Sequence, residues 1–320
     1  MSIRAFIVLS LFVVTVLLGV CTFPITKQKS VLSDDHKLLV VCTTSIIADA
    51  AAAIVGPWAT VRCLMGPGVD PHSYRAREHD VHLLAQADLI LYHGLHLEGK
   101  MGELFSALEK QGACVAAVTR SLPRQDLRAS PFADIYDPHV WHDVDLWCQV
   151  VREIAHIVVA LDARHAAYYQ ENLTRYLNEL VALDAYIREQ VATIEPERRI
   201  LVTAHDAFAY FGRAYGFTVV GLQGISTDAE VGTKDLQRLI SFIITHSITA
   251  LFLESSVLPR SLLAVEKAVT ARGLPLQIVA ELYSDSLGNI DTNASSYSGM
   301  VKHNVDTIVA ALSSTQVQPC

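Results

Sequence analysis

Two histidines occupy the same rigid tripeptide at distant points of the sequence, Asp70-Pro71-His72 and Asp137-Pro138-His139. Proline fixes φ and removes a backbone donor, so each imidazole leaves a stiff turn rather than a helix or strand. Two further groups close apolar runs: His205 in Thr203-Ala204-His205-Asp206, and Asp285 in Tyr283-Ser284-Asp285-Ser286-Leu287-Gly288. Three imidazoles and one carboxylate form a shell suited to a divalent transition metal. With neutral imidazoles such a complex keeps about one net positive charge, tolerable in a partly buried site. Asp70 and Asp137 read as acceptors that cap their loops rather than as ligands.

Other groups compete for these roles. An isolated histidine is more often solvated or satisfied in a core, which is the reading for His36, His79, His82, His156, His165 and His246. His93 and His96 could form a separate pair, but they sit beside a helix start. His142 lies three residues from His139 in DPHVWHD; His139 is preferred, because two ligands from one turn would crowd those from the other half. Near Asp285 the rivals are Glu281, inside a strand, and Asp291, further along a polar loop. A zinc hydrolase using His139, His142 and Asp143 is the alternative from another class. Against it, the chain has no H-E-x-x-H, no G-x-S-x-G and no obvious general base beside an open coordination position. A surface adhesin is a third reading, though nothing in the sequence encodes a protein-binding site.

The elements that must position these groups alternate in type. LLVVCTTS (38–45), TVRCLM (60–65), ADLILYH (87–93) and ACVAAVT (113–119) read as buried strands, separated by helical stretches at Ile46–Val55, Val81–Ala85 and Met101–Lys110. The second half repeats the plan with RILVTAH (199–205), FTVVGL (217–222), ITALFLE (248–254) and LQIVAEL (276–282), with helices at Ala207–Tyr215, Lys234–Thr245 and Leu262–Arg272. Alternating strands and helices predict an α/β chain of two similar lobes, each a parallel sheet flanked by helices. Ligands of such sheets bind beyond the carboxyl ends of the strands, where His72, His139, His205 and Asp285 all fall. Between the halves, Ala163 to Ile194 lacks Gly and Pro and carries an apolar stripe: Leu173, Leu177, Leu180, Leu183, Ile187, Val191 and Ile194. That periodicity predicts one rigid linking helix, roughly 45 Å long at 1.5 Å per residue. The expected organisation is a signal segment at 1–21, a tether at 22–36, a first lobe at 37–161, the linking helix at 162–195 and a second lobe at 196–320.

Composition narrows the partners. The 320 residues are 51% hydrophobic and 18% charged, with a net charge of −8. That balance argues for a globular chain and against nucleic acid as a partner. Arg4 precedes an apolar run, Ala5 to Val20, ending at Cys21. This is the pattern of an export signal, shorter than the ~20 residues of a spanning helix. Leu18-Gly19-Val20-Cys21 resembles a bacterial lipobox, with Val20 as a departure, so Cys21 is the expected lipidation site and membrane anchor. A cleaved soluble form and an uncleaved anchor are the alternatives. The six cysteines form no C-x-x-C pair, against a thiolate zinc site. An exported location permits a Cys42–Cys63 disulfide, but the bland reading of Cys42, Cys63 and Cys114 is as small buried hydrophobes.

Taken in order, MGPGVDPHSY, ADLILYHGLHLEGKMGE, DPHVWHDVDLW, ILVTAHDAFAYFGRAYGF, GLQGIST, FLESS, ELYSDSLG and GMVKHNVDTIVAAL resemble the cluster A-I solute-binding proteins of zinc, manganese and iron ABC importers, and within them the Tro-type branch. The resemblance runs from about Leu38 to Leu312. It implies two lobes joined by a single long helix, no catalysis, a permease and its ATPase subunit as partners, and action as a monomer outside the cytoplasmic membrane. It places the metal ligands at His72, His139, His205 and Asp285. Many zinc-dedicated members carry a His-rich loop before the second D-P-H motif, absent here, and many manganese-dedicated members have Glu at the third ligand, here His205. The cargo expected from the resemblance is therefore Zn2+ or Mn2+, with Fe2+ as a third candidate.

Overall fold

A computed structural model describes residues 37–129, 135–229 and 231–313. The signal segment, the tether, Cys21 and Cys320 lie outside these residues. Strand β1 (Leu38–Thr44) is buried along nearly its whole length, as an apolar run covered on both faces must be. It pairs in parallel with β2 (Ala59–Met65) and β3 (Leu89–Tyr92), and β3 pairs with β4 (Val115–Ala117), giving the order β2-β1-β3-β4. Helices α1 (Ser45–Val55), α2 (Glu78–Gln86) and α3 (Gly102–Lys110) connect them. The Thr44 hydroxyl accepts from the Ile47 N–H and starts α1 directly at the end of β1. Val41, Leu84, Ile90, Met101, Phe105 and Leu108 form one apolar cluster that holds α2 and α3 on the sheet.

The second half has the predicted repeat. Strands β5 (Ile200–His205) and β6 (Thr218–Gln223) form one parallel pair, β7 (Ala250–Glu254) and β8 (Gln277–Leu282) another. Because β5 lies beside β7, the spatial order β6-β5-β7-β8 matches that of the first lobe. Helices α6 (Ala209–Tyr215), α7 (Thr233–Thr245) and α8 (Arg260–Thr270) complete the unit, over a core that includes Val202, Leu222, Leu239, Leu251, Leu262 and Val265.

The long helix α5 (Ala166–Val191) has 26 residues and is about 39 Å long, shorter than the apolar stripe suggests. Asp162 accounts for its late start: it accepts from Arg164 Nε, His165 Nδ1 and the Tyr169 hydroxyl, holding a tight turn at Ala163–His165. Of the predicted stripe, Leu173, Leu180, Leu183, Ile187 and Val191 are buried. Two long helices were not anticipated. One, α4 (Val144–Leu161), precedes the strut and buries Val150, Val151, Ile154 and Val158. The other, α9 (Tyr297–Ser313), packs on β8 and also on α1 and α5. No helix among the described residues is long and apolar enough to cross a membrane. Cys42 and Cys63 are register partners on β1 and β2 but form no disulfide, and of the three cysteines read as buried hydrophobes only Cys42 is buried, Cys63 and Cys114 being exposed.

Candidate metal centre

His72 sits in the loop after β2, His139 just before a turn at Val140–His142, His205 at the last position of β5, and Asp285 in the loop after β8. All four are buried, and one donor atom from each lies within 4.8 Å of the others. His139 Nε2 stands 3.2 Å from His72 Nε2, 3.3 Å from His205 Nε2 and 3.4 Å from Asp285 Oδ1. His205 Nε2 is 3.6 Å from Asp285 Oδ2. A tetrahedral ion with bonds of about 2.0–2.1 Å needs donors roughly 3.3 Å apart. Two imidazole lone pairs this close repel unless a proton or a cation lies between them.

The two Asp-Pro-His loops fold alike. In each, the aspartate Oδ1 accepts from the backbone N–H of the histidine two residues on, at 2.9 Å for His72 and 3.0 Å for His139. This is the loop-capping role read from the sequence. Gly68 helps the first loop turn by adopting φ +72°. Asp137 does more, because its Oδ1 also accepts from His139 Nδ1 at 2.7 Å. That contact orients the ring so that Nε2 faces the other donors.

Glu254 plays the corresponding part across the cleft. It ends β7, accepts from the His205 N–H at 2.8 Å and places Oε2 2.5 Å from His205 Nδ1, close but off the line of a straight hydrogen bond. Beneath the His139 loop, His93 Nε2 donates to the Pro138 carbonyl at 2.6 Å. The buried Glu98 carboxylate in turn accepts from the His93 and Gly94 N–H groups and the Thr43 hydroxyl. Ser256 and Ser284 hydroxyls donate to Asp285 Oδ2.

The electrostatics favour positive charge at the centre. Burial works against a charged His139, but Asp137 and Asp285 outweigh it and raise the imidazole to about 9. His205 is likewise buried, and Glu254 and Asp285 hold it well above the ordinary imidazole range. Burial of Asp285 is overcome by His205 and His139, which hold it well below the usual carboxylate range. His72 has no comparable partner, and burial lowers it to about 3. Burial does the same to His93 and His142.

The remaining candidates fall outside the cluster. His142 is buried with Nε2 3.0 Å from the Ser284 carbonyl, and Asp143 caps α4 and pairs with Arg213; the three groups of the hydrolase reading do not converge. His93 is buried while His96 is exposed, so they form no pair. Glu281 and Asp291 are exposed, as are His79, His82, His156 and His246, and His165 stacks on Trp58. His36 lies outside the described residues. Glu254, Glu98 and the supporting role of His93 were missed in the sequence. One signal for Glu254 was present: ITALFLE ends a buried strand on an acid, as RILVTAH ends one on an imidazole.

Two parallel-sheet lobes with a buried nitrogen and oxygen cluster between their strand ends define a solute-binding protein for a cation. Residues 40–311 match the family described as zinc-uptake complex component A, periplasmic, and the chain belongs to that family. It is 46% identical over 278 residues to the zinc-binding protein TroA of Treponema pallidum, covering 87% of this chain and 90% of the relative. The solved structure of the periplasmic TroA superimposes with a TM-score of 0.85 at 46% identity, covering 87% of this chain and all of that one. The manganese-binding lipoprotein MntA of Bacillus subtilis is 43% identical over 280 residues, 88% of this chain and 91% of the relative. The protein is thus the substrate-binding component of a metal ABC importer and not an enzyme.

Proposed function

We infer that His72, His139, His205 and Asp285 bind the transported cation, either Zn2+ or Mn2+, with Fe2+ as a third cargo to be tested. The observation that carries this reading is the set of four buried donors, with His139 Nε2 3.2–3.4 Å from the other three and all four within 4.8 Å of one another. Their surroundings agree with it. The carboxylates of Asp285, Asp137 and Glu254 surround the donors, with Arg128 shared between Asp137 at 3.2 Å and Asp206 at 3.1 Å, a net negative setting that suits a divalent ion. Zinc should bind more tightly than manganese in vitro, following the Irving–Williams order, whichever metal the cell supplies. Residues 37–161 and 196–320 act as jaws on the strut at 162–195. Release follows when docking on the permease, driven by its ATPase, draws the donors apart. Cys21 carries the lipid that tethers the chain, as a monomer, to the outer face of the membrane.

The test is calorimetric titration of His139→Ala and His205→Ala with Zn2+ and Mn2+, alongside circular dichroism. Each variant should lose at least a hundred-fold in affinity while keeping its secondary structure. Stoichiometric zinc binding that survives both substitutions rules the assignment out.

A further inference from the structure

Asp285 is carried by a loop that the opposite half of the chain holds on both sides of the carboxylate. The Ser284 carbonyl accepts from Trp141 Nε1 at 2.8 Å and lies 3.0 Å from His142 Nε2. The Gly68 N–H donates to the Ser286 hydroxyl at 2.9 Å, and the Leu287 N–H donates to the Ser45 hydroxyl at 2.9 Å. Three of the four residues from Ser284 to Leu287 are thus bonded to groups between 45 and 142 in sequence. The attachment at Ser284 is firmly built. Trp141 and His142 are buried, Trp141 meets His139 edge-to-face at 5.3 Å, and the Trp141 carbonyl accepts from the Tyr297 hydroxyl at 2.7 Å. His142 stacks on Phe208 of the second half at 4.3 Å between centroids.

We propose that Trp141 and His142, with Ser45, are positioning residues that clasp the 284–287 loop and set Asp285 at bonding distance from the cation. The proposal rests on the metal-site reading above and adds to it the device that makes closure and ligation one event. The bonds reach backbone atoms on both sides of Asp285, so they fix its position without touching its carboxylate. Within its own half, the carboxylate accepts from the Ser256 and Ser284 hydroxyls and lies 3.6 Å from His205 Nε2, contacts that orient it but do not bring it to His72 and His139 of the other half. The contacts bridge the two halves, so separating the halves breaks them. A bound ion is then retained by four coordinate bonds and by the clasp, and losing the clasp should appear mainly as faster release.

The experiment uses the full chain loaded with Co2+ as a spectroscopic probe, and stopped-flow transfer of Zn2+ to a chelator as the rate measurement. Trp141→Phe keeps the ring packing and removes only the N–H donor; Ser45→Ala removes the other end of the clasp. Each should release Zn2+ roughly ten-fold faster, the effect of losing one buried hydrogen bond. Their Co2+ visible bands should move toward those of Asp285→Asn. His142→Gln, which retains a side-chain N–H donor, should release more slowly than His142→Leu. Wild-type release and spectra in both Trp141→Phe and Ser45→Ala, with binding abolished in His139→Ala, overturn the clasp and leave the site standing. Unimpaired binding in His139→Ala overturns the site and the clasp with it.

Discussion

The two Asp-Pro-His turns share a sequence and a backbone hydrogen bond, yet their carboxylates do different work. Asp137 is fully buried, and it holds His139 Nδ1 with one oxygen and Arg128 with the other. Asp70 is half-buried and turns its second oxygen outward, where it accepts from the Ser73 hydroxyl and, at 2.6 Å, from the Thr227 hydroxyl of the other lobe. One carboxylate tunes an imidazole of the buried cluster; the other ties the lobes at the cleft edge. The tripeptide fixes the turn because proline and the aspartate cap act within three residues. The surroundings assign the second oxygen, and they come from residues as far apart as 70 and 227.

That contrast can be broken most sharply at the carboxylates themselves. Asp137→Asn should weaken zinc binding about 10–100-fold, the usual effect of removing the partner behind a metal-bound imidazole. Asp70→Asn should weaken it only a few-fold; calorimetry giving equal losses would erase the distinction.

A smaller but more specific effect concerns pH. Protons compete with the cation for the imidazoles, so zinc affinity in the wild type should fall as pH drops. Against burial, Asp137 together with Asp285 raises the His139 imidazole to about 9, and the same negative charge should raise its affinity for a cation. Removing the Asp137 charge lowers the imidazole toward its ordinary value near 6.5. Asp137→Asn should therefore bind more weakly at the plateau but hold that plateau to lower pH. Asp70→Asn should leave the midpoint of the pH curve in place. A series of titrations between pH 5 and 9 checks both.

Next comes the link across the cleft. Thr227→Val removes the hydroxyl that reaches Asp70 and should speed zinc release about two- to five-fold, with the pH midpoint unchanged, as chelator competition would record. The smallest effect is expected at the prolines. Pro71→Ala and Pro138→Ala should each cost about 0.4–1 kcal/mol through added loop freedom, seen as a slightly lower melting temperature.

Much of this arrangement was legible in the sequence. The eight strands fall within two residues of the apolar runs that predict them. Central strands such as β1 and β3 are buried as expected, since cover on both faces needs an unbroken apolar segment. The edge strands β2 and β8 instead carry exposed positions that the reading as buried strands did not allow. Helix α4 begins just after DPHVWHD and α9 contains GMVKHN, and the polar and ionisable residues of these motifs mask the helical period there, although the apolar spacing of Val150, Val151, Ile154 and Val158 carries it further along α4. Chain order and strand-end logic together selected the four donors. The groups that hold those donors were not legible, since His93 and Pro138 lie 45 residues apart, His205 and Glu254 49, and His142 and Ser284 142.

By itself, then, the sequence determined the alternation of elements, the strut and the residue types of the buried four-donor cluster, all consequences of local spacing and chemistry. Only the tertiary structure decided which nitrogen of each ring faces the centre, which carboxylate stands behind it and what fastens the Asp285 loop. Those outcomes depend on side chains meeting across strands and across the cleft at about 3 Å. No period or motif along the chain records such a meeting, because the partners become neighbours only once both sheets and the helices around them have packed.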